Sequence, residues 1–334
     1  MAYQVTLQPS GHQFSVAEGT TLLEAALDAG INLPYGCKNG ACGACKGRIL
    51  AGTVDHGAAQ ESALSAHERV AGYALLCCAK PTSDVVIEVH EVVALQDIPV
   101  KTLPCRVEKL ERVADDVMVI FLKLPTNERL QFLAGQYIEF LLPDGKRRAF
   151  SLANPPHADA LLELHVRRVP GGNFTEHVFT RMKEKDILRI EGPFGSFRLH
   201  EESAKPILLV AGGTGFAPIK SLIEHALHIG IRRPMHLYWG ARNRAGLYMD
   251  ALAQRWAKDN GIIYTPVLSE PDADWHGRRG LVHEAALADH PDLAAFQAYV
   301  CGAPAMVEAA QRDFIAHGLP QDEFFADVFS YAPR

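Results

Sequence analysis

The sequence predicts a multidomain fold: a mixed α+β module, an antiparallel β-barrel, and an α/β module with a doubly wound parallel sheet. Three observations predict it. Three cysteines share one glycine-rich loop near the N-terminus, short strands separated by turn residues fill the middle, and strand and helix patterns alternate after Lys205. A chain of 334 residues also exceeds one ordinary domain. The changes of pattern set boundaries at 1–93, a linker at 94–102, a barrel at 103–203 and a nucleotide module at 204–334.

Composition narrows the class of function. Hydrophobic content of 48% with 22% charged residues is that of a globular protein in water. A net charge of −6 disfavours nucleic acid and anionic membranes as partners. No apolar run reaches membrane-spanning length, and Met1-Ala2-Tyr3-Gln4-Val5 lacks the basic start of a secretory signal. Seven cysteines, four of them candidate metal ligands, fit a reducing compartment, so a cytoplasmic location is expected.

In the first module, Tyr3 to Gln8 and Gln13 to Val16 alternate around Pro9-Ser10-Gly11-His12 and read as a β-hairpin. Thr21-Leu22-Leu23-Glu24 has capping-box spacing and opens a helix that ends near Gly30; Ser65-Ala66-His67-Glu68 opens a second, short one. Val85 to Val89 closes the module as a strand. Between these elements lie Cys37, Cys42 and Cys45 in the spacing C-x4-C-x2-C, with Cys77 and Cys78 downstream. That is the plant-type [2Fe–2S] ligand pattern. Gly36, Gly40 and Gly43 allow the unusual backbone angles of a loop that turns several thiolates inward. A zinc site, or cysteines that are buried small hydrophobes, is the competing reading.

The middle of the chain carries strand patterns at Cys105–Glu111, Val117–Leu124, Tyr137–Leu142, Arg148–Leu152, Leu161–Val166 and Ile187–Glu191, with a helix near Phe174 to Met182. Arg148-Ala149-Phe150-Ser151 alternates a cation, a ring and a hydroxyl on one strand. Such a strand can hold a flavin: Arg148 against phosphate, Phe150 against the isoalloxazine, Ser151 near its N5 edge. Gly171 and Gly172 precede Phe174 and Thr175 at a helix start, where free amides can cradle a pyrophosphate.

Beyond Lys205, Pro206 to Val210 is a buried strand, followed by Gly212-Gly213-Thr214-Gly215-Phe216-Ala217-Pro218 and a helix with apolar Ile219, Leu222, Ile223 and Leu227. A glycine turn between strand and helix lets backbone approach a dinucleotide pyrophosphate, although this one does not match G-x-G-x-x-G. Strand patterns recur at Met235–Trp239, Ile262–Leu268 and Ala298–Cys301, the last continuing into Gly302. The stretch after the second strand of this sheet, Tyr238-Trp239-Gly240-Ala241-Arg242-Asn243-Arg244, contains no carboxylate, so the residues there lean towards NADPH.

The cysteine loop, with Pro81 to Val85, resembles the plant-type ferredoxin (β-grasp) fold, and that register points to Cys77 as the fourth ligand and Cys78 as its neighbour. The rest resembles the ferredoxin–NAD(P)H reductase superfamily, which implies FAD rather than FMN, places Gly212 to Pro218 on the nicotinamide dinucleotide, and places Cys301 beside its ring. Two positions depart from the family: Phe150 stands where tyrosine is usual, and Thr175 where serine is common. Contact with the reacting rings is expected from Ser151, Cys301 and an aromatic near the C-terminus, Phe329, with Phe324 and Phe325 in a final strand. The resemblance favours NADH, and NADH is the expectation, with NADPH kept open.

The domain order resembles the reductases of bacterial Rieske dioxygenases and diiron monooxygenases. Leu7 to Gly11, Thr102 to Cys105, Leu133 to Ile138 and Gly212 to Ser221 resemble more narrowly the CDP-6-deoxy-Δ3,4-glucoseen reductases, which serve a pyridoxamine-phosphate (PMP)-dependent dehydrase. The expected partner is a terminal electron-accepting protein, either that dehydrase or an oxygenase component. A redox sensor or carrier without turnover is the alternative class, and the glycine turn with Cys301 argues against it.

Overall fold

The computed structural model describes residues 2–89 and 98–329, which fall into two compact units. The first is built on the described residues of 1–99 and takes in Gly195–Phe197 and 326–329.

Its elements are β1 (Ala2–Gln8), β2 (Gln13–Ala17), α1 (Leu22–Asp28), β3 (Lys46–Ala51), β4 (Val54–Asp55), α2 (Ala66–Val70), β5 (Tyr73–Leu75), β6 (Lys80–Pro81) and β7 (Val85–Glu88). Five strands form one sheet in the order β2-β1-β7-β3-β5, in which β1 and β7 run parallel and the other pairs antiparallel. The hairpin and both helices lie where the sequence predicts them. Ser65 and Glu68 complete a reciprocal capping box, whereas at Thr21 only the hydroxyl caps, accepting from the Glu24 amide. Leu22, Leu23, Ala25 and Ala26 bury the inner face of α1. The Leu22 and Leu23 amides, which have no acceptor inside the helix, donate to the carbonyls of Ala79 and Leu76 (2.9 Å each) and so fix the turn carrying Cys77 and Cys78.

The second unit begins with β8 (Lys101–Ala114), β9 (Val117–Lys123), β10 (Tyr137–Leu141), β11 (Arg147–Ser151), β12 (Leu162–Arg167), α3 (Asn173–Thr180) and β13 (Ile187–Phe194). These strands form one antiparallel sheet, β11-β10-β13-β8-β9-β12, and a bridge between Leu152 and Leu164 joins its two edges into a barrel. Val107, Ile120, Leu122, Ile138, Phe140 and Leu164 fill it. The barrel starts earlier than expected: Lys101 and Thr102, placed in the linker, already pair with Gly192 and Glu191. The rest of that expected linker, up to 97, lies outside the described residues.

The same unit continues with β14 (Ile207–Gly212), α4 (Phe216–His228), β15 (Met235–Ala241), α5 (Asp250–Asn260), β16 (Ile263–Leu268), β17 (Arg278–Arg279), α6 (Val282–Asp289), β18 (Gln297–Gly302) and α7 (Pro304–Ala316); of β19 (Phe324–Val328), only Phe324 and Phe325 fall in it. The sheet order is β17-β16-β15-β14-β18-β19, with β14 to β18 parallel in every described pairing. Barrel and parallel sheet pack into one body, joined by the buried contacts described below.

Candidate functional site

The cysteine loop occupies the stretch between α1 and β3. Its thiols meet in two pairs: Cys37 hydrogen-bonds Cys42, and Cys45 hydrogen-bonds Cys77. The Cys37 amide donates to Cys42 Sγ (3.4 Å) and the Ala41 amide to Cys37 Sγ (3.3 Å). The bond to Cys42 and these loop amides hold the Cys37 thiol at about 6, well below the ordinary thiol value, whereas sharing that bond drives Cys42 up. Cys78 Sγ lies 3.7 Å from Cys77 Sγ but faces Gly40, and burial pushes its thiol up to about 12. A Cβ on Gly40 would come within 2.8 Å of Cys78 Sγ and 3.0 Å of the Ala58 carbonyl, and one on Gly36 within 3.2 Å of Cys42 Sγ. Gly40 and Gly43 both have positive φ. Two thiolate pairs with amides aimed at sulfur suit a two-iron cluster. In the same unit, Ser196 ties down the entry to the loop: its hydroxyl accepts from the Tyr35 amide and its own amide donates to the Tyr35 carbonyl, both at 2.9 Å.

On the barrel, Arg148 and Phe150 share one face of edge strand β11, while Ala149 and Ser151 share the other. Arg147 is held by Glu139 and Glu191, but Arg148 makes no ion pair among the described residues and its guanidinium bonds the Arg147 carbonyl (2.8 Å). Phe150 is half-buried, its ring 5.8 Å from Phe140 and 5.5 Å from Phe174. Phe174 is buried in the barrel core, so its side chain packs there and what it can offer a ligand is its backbone amide. Gly171 has positive φ; Gly172 caps α3 with no side-chain bond, and Thr175 Oγ1 closes the loop onto the Val169 amide (3.1 Å). A Cβ on Gly172 would meet Thr175 Oγ1 at 2.8 Å. An arginine without a carboxylate and an uncapped helix start fit the phosphates of FAD.

The glycine turn after β14 is built by close approach. A Cβ on Gly215 would lie 2.2 Å from the Cys301 carbonyl, one on Gly212 2.5 Å from Met306 Sδ, and one on Gly302 3.2 Å from Gly212 Cα. Gly212, Gly213, Thr214, Gly215, Cys301 and Gly302 are therefore one cluster at the C-terminal edge of the sheet, and Pro218 lies buried in the first turn of α4. The α4 start has no side-chain cap. Phe216 stacks on Trp239 (3.8 Å between centroids), and Trp239 Nε1 donates to the Gly213 carbonyl (3.0 Å), which holds the turn from below. Phe324 and Phe325 lie in β19 as expected; Phe329 follows it, half-buried, in the first unit.

Sequence reasoning missed the seam that joins barrel to sheet. Lys220 on α4 is buried and donates to Glu163 Oε2 (3.0 Å), Glu224 Oε2 (3.0 Å) and the Ala153 carbonyl (3.2 Å). Glu163 Oε1 meets His165 Nε2 (2.9 Å), and His165 Nδ1 meets the Tyr248 hydroxyl (2.9 Å). Burial opposes ionisation of Glu163, but His165 and Lys220 outweigh it and lower its pKa; burial keeps His165 neutral. A lysine inside a helical stripe carries no sequence signal that separates it from a solvated one.

A thiol loop, a phosphate-ready barrel strand and a dinucleotide turn in one chain define an electron-transfer oxidoreductase. Residues 5–82 match the 2Fe-2S iron–sulfur cluster binding domain, 104–199 the oxidoreductase FAD-binding domain, and 209–312 the oxidoreductase NAD-binding domain. The chain belongs to the family of reductases that join these three domains. It is 42% identical over 330 residues to the CDP-6-deoxy-L-threo-D-glycero-4-hexulose-3-dehydrase reductase of Yersinia pseudotuberculosis, covering 98% of this chain and 99% of that one. It is 38% identical over 339 residues to a terephthalate 1,2-dioxygenase reductase component of a Comamonas species (100% and 99% covered). The crystal structure of the Amycolatopsis cytochrome P450 reductase GcoB superposes with a TM-score of 0.79 at 36% identity, covering 98% of both chains. Among the described residues no helix is long and apolar enough to cross a membrane.

Proposed function

We propose that this NAD(P)H-dependent flavin and iron–sulfur reductase takes electrons from NADH and delivers them, in the cytoplasm, to a PMP-dependent hexulose-3-dehydrase. FAD bound here would supply hydride acceptance from the nicotinamide, and a bound cluster would supply one-electron transfer onward. The residues bind, orient and separate these groups. Cys37, Cys42, Cys45 and Cys77 hold the cluster, with Cys78 packed behind Gly40. Arg148 takes flavin phosphate, the amides at Gly171 to Thr175 take the pyrophosphate, Phe150 backs the ring, and Ser151 lies at its N5 edge. Gly212 to Gly215 seat the nicotinamide dinucleotide with Cys301 and Gly302 against its ring. Such alignment is what a hydride step asks of a protein.

The observation that carries the partner is full-length similarity to a reductase named for that dehydrase. Similar full-length likeness to the Comamonas component favours a second reading, an oxygenase reductase. The test is anaerobic NADH consumption by the purified protein with the dehydrase and its CDP-hexulose substrate, and in parallel with a Rieske oxygenase component. Turnover with the dehydrase alone supports the first reading; turnover with the oxygenase alone replaces it with the second.

A further inference from the structure

The cluster cysteines are not all served by backbone. Amides donate to Cys42 Sγ (3.4 Å) and to Cys37 Sγ (3.3 Å). Among the described residues no amide donates to Cys77 Sγ. The two amides that follow it, of Cys78 and Ala79, both donate to the Leu75 carbonyl (2.9 and 2.8 Å) and close a turn instead. Apart from Cys45, what Cys77 Sγ meets is a side chain, the Cys78 thiol, 3.7 Å away. Cys77 is in turn the only hydrogen-bond partner of the Cys78 thiol among the described residues. Packing fixes Cys78 in this place. A Cβ on Gly40 would lie 2.8 Å from Cys78 Sγ, and one on Gly57, at positive φ, 2.7 Å from the Cys78 carbonyl. The segment that covers Gly40 is tied down as well: the Gln60 amide donates to the Gly40 carbonyl (3.1 Å), and Arg69 holds the Ala59 carbonyl (2.9 Å). Both Cys77 and Cys78 are buried.

We propose that the Cys78 thiol donates a hydrogen bond to the ligating sulfur of Cys77 and so raises the reduction potential of the cluster. The proposal rests on the reading of Cys77 as the fourth ligand. A metal takes the thiolate, so with Cys77 on iron the one hydrogen of the Cys77–Cys78 pair belongs to Cys78. Reduction adds one electron and makes the ligand sulfurs more negative. A donor on one of them stabilises the reduced form more than the oxidised form. The thiol keeps its hydrogen in both states, so no proton accompanies the electron. An S–H group is a weak donor, but burial spares this one competition with water. Cys78 thus supplies on the fourth ligand what loop amides supply on Cys37 and Cys42, and it acts through Cys77 without holding iron.

The test uses the full chain loaded with FAD and cluster, as wild type, Cys78→Ala, Cys78→Ser and Cys77→Ala. Iron content reads ligation, and an anaerobic redox titration followed by the EPR signal of the reduced cluster reads the potential. Cys78→Ala keeps the cluster, and its equilibrium constant for one-electron reduction falls about tenfold, a shift of about 59 mV to lower potential. Cys78→Ser, whose hydroxyl also donates, stays at or above the wild-type potential. The direction separates the bond from packing, because water admitted beside alanine would favour the more negative reduced cluster and raise the potential. Reduced-minus-oxidised infrared spectra of the wild type give a second readout that needs no alanine variant: the S–H stretch that Cys78→Ser deletes moves to lower frequency on reduction. Full cluster content in Cys78→Ala with an unchanged or higher potential overturns the proposal. Equal shifts in Cys78→Ala and Cys78→Ser, or an S–H stretch that ignores reduction, do the same. Loss of the cluster from Cys78→Ala with its retention in Cys77→Ala overturns instead the assignment of Cys77 as the ligand.

Discussion

The cysteine loop and the barrel–sheet seam hold their groups by opposite means. In the loop, backbone does the holding: amides donate to sulfur at Cys37 and Cys42, glycines admit the close approach, and the first amides of α1 fix the second cysteine segment. In the seam, side chains do it: a buried ammonium, two carboxylates, an imidazole and a phenol satisfy one another between two layers. Backbone donors do not titrate and do not depend on a single side chain. Buried charges do both, because each partner left alone is an unpaired charge in a dry place. The loop should therefore be sensitive to shape and the seam to charge.

The two regions can be read separately. Trp239, Trp256 and Trp275 are the chain's three tryptophans and all lie in the second unit, so their fluorescence follows the seam, while visible absorption of the bound cluster follows the loop. The largest effect is expected at the seam. Lys220→Met removes one partner of a buried network and should lower the stability of the second unit by about 3–5 kcal/mol, read by urea titration of tryptophan fluorescence, with cluster absorption unchanged at low urea. Equal loss of both signals would mean that the regions are not held independently. Next comes Gly40→Ala, which adds a Cβ at positive φ against Cys78 Sγ and the Ala58 carbonyl; about 1–3 kcal/mol of strain should appear as reduced cluster content, with tryptophan fluorescence unchanged.

Acid should act on the seam in a defined direction. His165 has a lowered pKa, so its contribution is complete above the ordinary value of 6.5 and is lost as pH falls through the lower folded value. Glu163, also lowered, acts the same way from 4.5 downwards, while Glu224, raised by burial, partly opposes it. Tm by tryptophan fluorescence should fall on acidification below pH 6.5, and His165→Asn should flatten the upper part of that fall. A Tm independent of pH in this range would show that the seam is not held by charge. The smallest effect is expected from Cys78→Ser: Cys78 faces Gly40 rather than Cys45, so cluster content should hold while Cys77→Ser loses it. The reverse result would exchange the two cysteines.

How much of this was legible in the sequence follows the same division. The loop was readable because spacing and glycines lie in one short stretch, and the glycine turn because strand, turn and helix are consecutive. β3 was not predicted, since Lys46 to Ala51 follows the loop without alternation and joins the sheet through Gly47, which lies against Ile87 and Leu76. Phe174 reads as a ligand neighbour because it follows the glycine pair, yet its ring belongs to the core cluster with Phe140. Contacts assembled from distant segments leave no local pattern.

The measurement that tests the electron route most directly compares wild type with Cys42→Ala, following NADH-driven reduction of ferricyanide and of cytochrome c in the same preparation. The account predicts that ferricyanide reduction, which needs the coenzyme and flavin sites, persists in Cys42→Ala, while cytochrome c reduction is lost. Cytochrome c reduction at the wild-type rate without Cys42 would contradict the cluster as the exit for electrons.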